Sequence, residues 1–219
     1  MKIVGAVLAG VWLLQVVLSG GAGSTDRFGL FRWFTLKPSA VFDGFQLWRA
    51  LTYGLLGDPA DVVSIVLDVL LLLLFGSALE ERVGRSRALV ALLGANALGA
   101  LAVLAASRLD LSLLHAQVVG PSAAVSALAV AWGLQRADER LEFLGAIAMR
   151  GKHFAFVTAA LTLLSFVVNR TGAHVASVAG LLAGVFIARL GAPPAKRSAR
   201  RTSGSHLRVV RDDPKRWMN

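Results

Sequence analysis

Ser122 stands in Gly120-Pro121-Ser122-Ala123, at the head of an apolar run. His174 stands at the head of another, one turn before the small residues Ser177, Gly180 and Gly184. A hydroxyl and an imidazole are the parts of a nucleophile and its general base, because a serine attacks a carbonyl only when a base takes its proton. A carboxyl, Asp68, lies inside a third apolar run. Ser64 is four residues earlier, so the helix period puts a hydroxyl and a carboxyl in one column. Each group also has a plainer reading. A serine in a membrane helix bonds a carbonyl one turn back. A buried acid can serve as a neutral packing partner, and a histidine at a helix end can reach interfacial water.

Other chemistries lack their residues. The chain has no cysteine, which removes disulfides, thiol nucleophiles and thiolate metal sites. The histidines His115, His153, His174 and His206 have no ligand spacing, and no H-E-x-x-H or phosphate-loop motif occurs. No metal or other cofactor is expected.

The elements that must hold these groups are membrane spans. Of 219 residues, 56% are hydrophobic and 16% charged, less charge than soluble domains carry. Six apolar runs approach the roughly 20 residues needed to cross the hydrocarbon layer: 3–19, 62–79, 88–106, 118–134, 154–168 and 175–190. The fourth and fifth are short, and Leu-Glu-Phe-Leu-Gly-Ala-Ile-Ala-Met (141–149) is expected to lengthen the fifth. The first also resembles a secretory signal, but an even count fits the charges and a retained span is preferred. With the N-terminus inside, 17 of the 23 Lys and Arg fall in inner segments, which places both ends in the cytoplasm of a multi-pass protein, in the cell (inner) membrane. This distribution explains the net charge of +10 without nucleic acid, for which no motif exists.

Between the first two runs lies a long outer loop, about residues 20 to 60, rich in aromatics that favour the interfacial zone. Pro193 and Pro194 stop the last run, and 192–219 is a basic, polar tail suited to anionic headgroups. The expected division is 1–191, a membrane domain, and 192–219, a disordered cytoplasmic tail.

Four stretches carry a family likeness. Phe-Gln-Leu-Trp-Arg (45–49), with Trp48 and Arg49, resembles the Trp-Arg segment in the first outer loop of rhomboid intramembrane serine proteases. Leu-Leu-Phe-Gly-Ser-Ala-Leu-Glu-Glu-Arg-Val-Gly (73–84), with Glu80, is similar to the end of the rhomboid second helix and its turn. Gly120 and Ser122 match the G-x-S-G serine motif, with Ala123 replacing its last glycine. Gly180 and Gly184 match the sixth-helix pattern H-x-x-G-x-x-x-G. The resemblance implies an all-α polytopic membrane protein: a six-transmembrane-helix rhomboid-like bundle with a long interfacial first outer loop. It implies Ser122 as candidate nucleophile, and Trp48, Arg49, Glu80, Gly120, Gly180 and Gly184 as structural positions.

The same register exposes departures. The family's catalytic histidine falls on Ser177, not on His174. Its histidine and asparagine oxyanion donors fall on Ser64 and Asp68. His174 is displaced from Ser177 by about 4.5 Å along the axis and about 60° around it, whereas a base must come within about 3 Å of its nucleophile. The leading expectation is therefore a pseudoprotease that binds transmembrane segments of client proteins in the lipid bilayer. The alternative is an active intramembrane serine endopeptidase using Ser122 with His174 as an off-register base. A third is a transporter-like or structural bundle, which lacks internal repeats and a broken helix pair.

Overall fold

The computed structural model describes residues 1–18, 29–58, 61–143 and 147–190. The basic tail at 192–219 lies outside them. Eight α-helices are present among the described residues: α1 (Lys2–Leu18), α2 (Pro38–Gly44), α3 (Arg49–Thr52), α4 (Val62–Val83), α5 (Arg85–Ala106), α6 (Ser122–Gln135), α7 (Gly151–Val168) and α8 (Gly172–Leu190). Four of them, α4, α5, α7 and α8, are long and apolar enough to cross a membrane. The other two apolar helices, α1 and α6, are shorter, with 17 and 14 residues. The 14 residues of α6 extend only about 21 Å, well under the hydrocarbon thickness of about 30 Å.

That short helix is the centre of the bundle. Its sequence, Ser-Ala-Ala-Val-Ser-Ala-Leu-Ala-Val-Ala-Trp-Gly-Leu-Gln, is dominated by small residues, and buried positions occur all round it. A helix apolar on every side belongs in a core, and small side chains allow neighbours to approach its backbone. α8 and α4 pack on α6, α5 packs on α8, α1 lies outside α4, and α7 leans on α6 and α8. Phe75 of α4, Trp132 of α6 and Phe154 of α7 form an aromatic triad with ring centroids 5.2 to 5.6 Å apart. These tilted and edge-on pairings suit the ring quadrupoles.

Local signals set the helix boundaries. Asp61 caps α4, its Oδ1 accepting the Ser64 N–H at 3.0 Å. Gly84, at φ 86°, ends α4 and starts α5 in one residue, a turn that needs a residue at ease with positive φ.

One expected feature is corrected. Of the stretch 141–149, residues 141–143 and 147–149 are strand and not part of the fifth span, and 144–146 lie outside the described residues. Two strands, β1 (Arg140–Phe143) and β2 (Ile147–Arg150), pair antiparallel with Phe143 opposite Ile147, and α7 begins only at Gly151. The sequence Arg-Leu-Glu-Phe alternates polar and apolar residues, the two-residue period of a strand. This hairpin marks one end of the bundle. The opposite end, where α4, α6 and α8 begin, is covered by residues 29–58.

Those residues form a compact cover. A 3-10 turn (Gly29–Trp33), α2, α3 and a second 3-10 turn (Tyr53–Leu55) follow one another. Leu36, Val41 and Tyr53 are buried against Ala100, Val103, Val118, Ala123 and Ala176 of the bundle. Phe45, Trp33, Trp48 and Phe34 remain exposed, as expected of an aromatic interfacial segment.

Candidate functional site

The site is assembled at the head of α6. Gly120, at φ 104°, turns the chain into the helix, and Pro121 precedes its first residue, Ser122. The cover holds this entry in place. Leu36 and Val118 exchange both backbone hydrogen bonds at 2.9 Å, and Gly120 N–H donates to the Tyr53 carbonyl at 3.1 Å. Tyr53 reaches down in turn, its hydroxyl donating to the Asn96 carbonyl of α5 at 2.8 Å. Burial pushes this phenol above its ordinary pKa.

Arg49 secures the cover from within. Its guanidinium donates to Gln46 Oε1 at 2.6 Å, to the Arg32 carbonyl at 2.7 Å and to the Thr35 carbonyl at 2.8 Å. The residue is only 5% exposed, and burial draws its pKa below the usual arginine value. Trp48 stays half exposed, its indole N–H donating to the Trp33 carbonyl at 3.3 Å. Glu80, at the far end of α4, pairs with the amino group of Met1.

The hydroxyls of Ser122 and Ser177 converge on one atom. Ser122 Oγ donates to the Ala173 carbonyl at 3.5 Å, and Ser177 Oγ donates to the same oxygen at 3.0 Å. Residue 177 therefore faces residue 122 across the α6–α8 contact, in the register that the glycines of α8 predict. Those glycines create the contact. A Cβ on Gly180 would overlap the Ala123 carbonyl, and one on Gly184 would lie 2.5 Å from the Ala127 carbonyl oxygen.

The imidazole is engaged elsewhere. His174 Nδ1 shares a 2.7 Å hydrogen bond with Thr171 Oγ1, at the start of its own helix. Among the described residues no hydrogen bond joins His174 to Ser122. A carbonyl oxygen is too weak a base to deprotonate a serine, so the bonds at Ser122 anchor the hydroxyl without activating it.

Among the described residues no hydrogen bond joins Asp68 to Ser64. The Asp68 carboxyl is aimed at the Gly120 turn, with Oδ2 3.8 Å from where a Cβ on Gly120 would stand. Ser64 is exposed, and its Oγ donates to Asp61 Oδ2 at 2.7 Å. Ser64 and Asp68 keep their i, i+4 column within α4, but the Ser64 hydroxyl is taken up by the helix cap. These two bonds hold Asp61 below the usual carboxylate range. Among the described residues no group of three His, Cys, Asp or Glu is placed to bind a metal ion.

Sequence reasoning missed Asn96 and Tyr53. Tyr53 is the chain's one tyrosine, and its partner at position 96 is a backbone carbonyl, which the identity of Asn96 does not announce.

A family model described as Rhomboid domain matches residues 44–194, from the cover through α8. No curated protein matches the chain.

Proposed function

The chain belongs to the rhomboid family of integral membrane proteins, and we propose that it is a pseudoprotease that binds transmembrane segments of client proteins. The observation that carries this reading is the shared carbonyl. Ser122 faces a second hydroxyl, that of Ser177, and the neighbouring imidazole is bonded to Thr171. Asp68 adds to it. An ionised carboxylate aimed at the Gly120 turn opposes the oxyanion that acyl transfer develops there, and a protonated one supplies a single donor. Loss of one oxyanion donor typically lowers the rate about 10²–10³-fold.

The binding half of the proposal rests on α4 and α7. Both lean on α6, and the aromatic triad joins them near the hairpin end. Val63, Val66 and Leu70 of α4 and Phe156, Leu161 and Leu164 of α7 are exposed. Two apolar faces flanking one core helix suit a client span packing by van der Waals contact. The proposal includes six crossings in the cell (inner) membrane, both ends cytoplasmic, and the basic 192–219 segment lying against anionic headgroups.

An active serine endopeptidase is the second reading. It is favoured by the half-exposed Ser122 hydroxyl at a helix head, where free backbone N–H groups suit an oxyanion.

A fluorophosphonate probe on the purified chain separates the two. The pseudoprotease reading expects no labelling above that of Ser122→Ala. Labelling that vanishes in Ser122→Ala overturns it. In the natural register, Ser177→His combined with Asp68→Asn is expected to create Ser122-dependent labelling.

A further inference from the structure

At the hairpin end, the last turn of α4, the start of α5 and the end of α8 enclose an open cleft of about 610 Å³. Val90, Gly94 and Leu98 of α5 and Phe186 and Ile187 of α8 form its walls, and its polar lining is confined to Ser86 and Arg87 at one end. Val90, Leu98 and Phe186 are exposed by 70%, 49% and 63%. Among the described residues the Arg87 guanidinium has no ion-pair or hydrogen-bond partner. A Cβ on Gly94 meets nothing within 4 Å, so helix packing does not require that glycine, and its absent side chain leaves the cleft floor open.

The dimensions select the occupant. Eleven residues separate Arg87 from Leu98, about 16 Å along α5, or roughly half of the 30 Å hydrocarbon layer. A crossing helix would need a face running the full thickness. A slot one leaflet deep, apolar along its length and cationic at its rim, matches one lipid molecule. We propose that this cleft is a specific site for an anionic phospholipid drawn from the adjoining leaflet. Its phosphate meets the Arg87 fork and the Ser86 hydroxyl, and one acyl chain lies over Gly94 between α5 and α8. The site is built from described residues of α4, α5 and α8 alone and is independent of whether Ser122 is catalytic.

Native mass spectrometry of the full chain in detergent, titrated with dioleoylphosphatidylglycerol, dioleoylphosphatidylcholine or dioleoylglycerol, tests the site. Phosphatidylglycerol is expected to be retained as a single adduct, well above the other two. Excess inorganic phosphate is expected not to displace it, because a headgroup alone lacks the apolar part of the site. Arg87→Gln is expected to lower retention about fivefold, from the roughly 1 kcal/mol that one basic residue contributes near a charged surface. Gly94→Leu fills the slot without touching the headgroup end, and is expected to lower retention comparably. Unchanged retention in either variant, or equal retention of the zwitterionic lipid, overturns the proposal. Lipid held only by the charge of the 192–219 segment would leave retention unchanged in Gly94→Leu.

Discussion

Ser122, Ser177, Tyr53 and Arg49 show how single side chains at the head of α6 divide between anchoring and chemistry. A serine hydroxyl donating to a carbonyl holds its proton in a structural bond, and replacing the facing Ser177 by an imidazole would offer that proton an acceptor. Tyr53 does comparable structural work. Its phenol donates to Asn96, and burial holds its pKa up. An acid whose pKa is raised on folding contributes stability in full below its unfolded pKa, near 10, and loses that contribution as the pH climbs toward the folded value. Alkaline titration followed by tyrosinate absorbance is therefore expected to show ionisation delayed beyond that range until the chain unfolds. With one tyrosine in the sequence the signal needs no assignment. Ionisation near pH 10 in the folded protein would contradict the buried phenol. Tyr53→Phe is expected to cost about 1 kcal/mol at neutral pH and to remove the alkaline slope. Arg49 is less replaceable, because its planar fork serves three acceptors at once. Arg49→Ala is expected to cost about 3 kcal/mol by stranding buried carbonyls. Arg49→Lys should fall between Arg49→Ala and the natural chain in thermal unfolding, and a lysine variant as stable as arginine would count against the fork.

Helix pairs are held by backbone approach at some glycines and not at others. Gly180 meets the Ala123 backbone, which cannot yield, whereas Gly94 faces open space. Gly180→Val is expected to destabilise by about 3 kcal/mol or more through overpacking, or to abolish folding. Gly94→Ala is expected to be neutral or to stabilise by up to about 1 kcal/mol, from helix propensity alone. Equal thermal stabilities in the two variants would remove the α6–α8 contact as the determinant of register. The same contrast explains what could be read from the sequence. The spacing of Ser177, Gly180 and Gly184 predicts which face of α8 meets α6, and the hydrogen bonds to Ala173 follow that face. The apolar runs predict the long helices because length and hydropathy alone determine a crossing. Local competition was harder to see. Asp61 takes Ser64 as a capping partner, so the hydroxyl that shares a helix column with Asp68 is bonded toward the helix start instead. Residues 141–149 are apolar enough to read as helix, yet their alternation and the pairing of 140–143 with 147–150 win as a hairpin. The Tyr53–Asn96 bond joins residues 43 apart, a long-range contact with no local signature.

Charge and length together support the proposed orientation of the whole molecule. The 22 residues of α4 and of α5 each extend about 33 Å, enough to carry their ends across a layer of about 30 Å. Arg82, Arg85, Arg87, Arg136, Arg150 and Lys152 lie at the hairpin end, while Arg32, Lys37, Arg49, Arg108 and Arg170 lie at the covered end. Arg49 is buried in the cover and Arg108 lies over the Phe42 ring at 3.8 Å, so part of the covered end's charge is occupied by internal contacts. At the hairpin end Arg82, Arg136 and Lys152 are likewise engaged, with the Gln135 carbonyl, Glu139 and Asp138, so the proposed cytoplasmic placement of that end rests on the count of basic residues that the positive-inside rule uses. The chain's lack of cysteine makes a direct reading possible, because each introduced thiol is the only one present. Asp43→Cys marks an exposed position on the cover, and Asp138→Cys marks the hairpin end, where the side chain is 93% exposed. A membrane-impermeant maleimide applied to cells with a permeabilised outer layer is expected to modify Asp43→Cys at once. Asp138→Cys should react only after the bilayer is opened. The opposite order would invert the molecule and place the candidate site on the cytoplasmic side. Reaction of both thiols before opening would mean that the cover and the hairpin share one side, which the lengths of α4 and α5 do not permit in a crossing bundle.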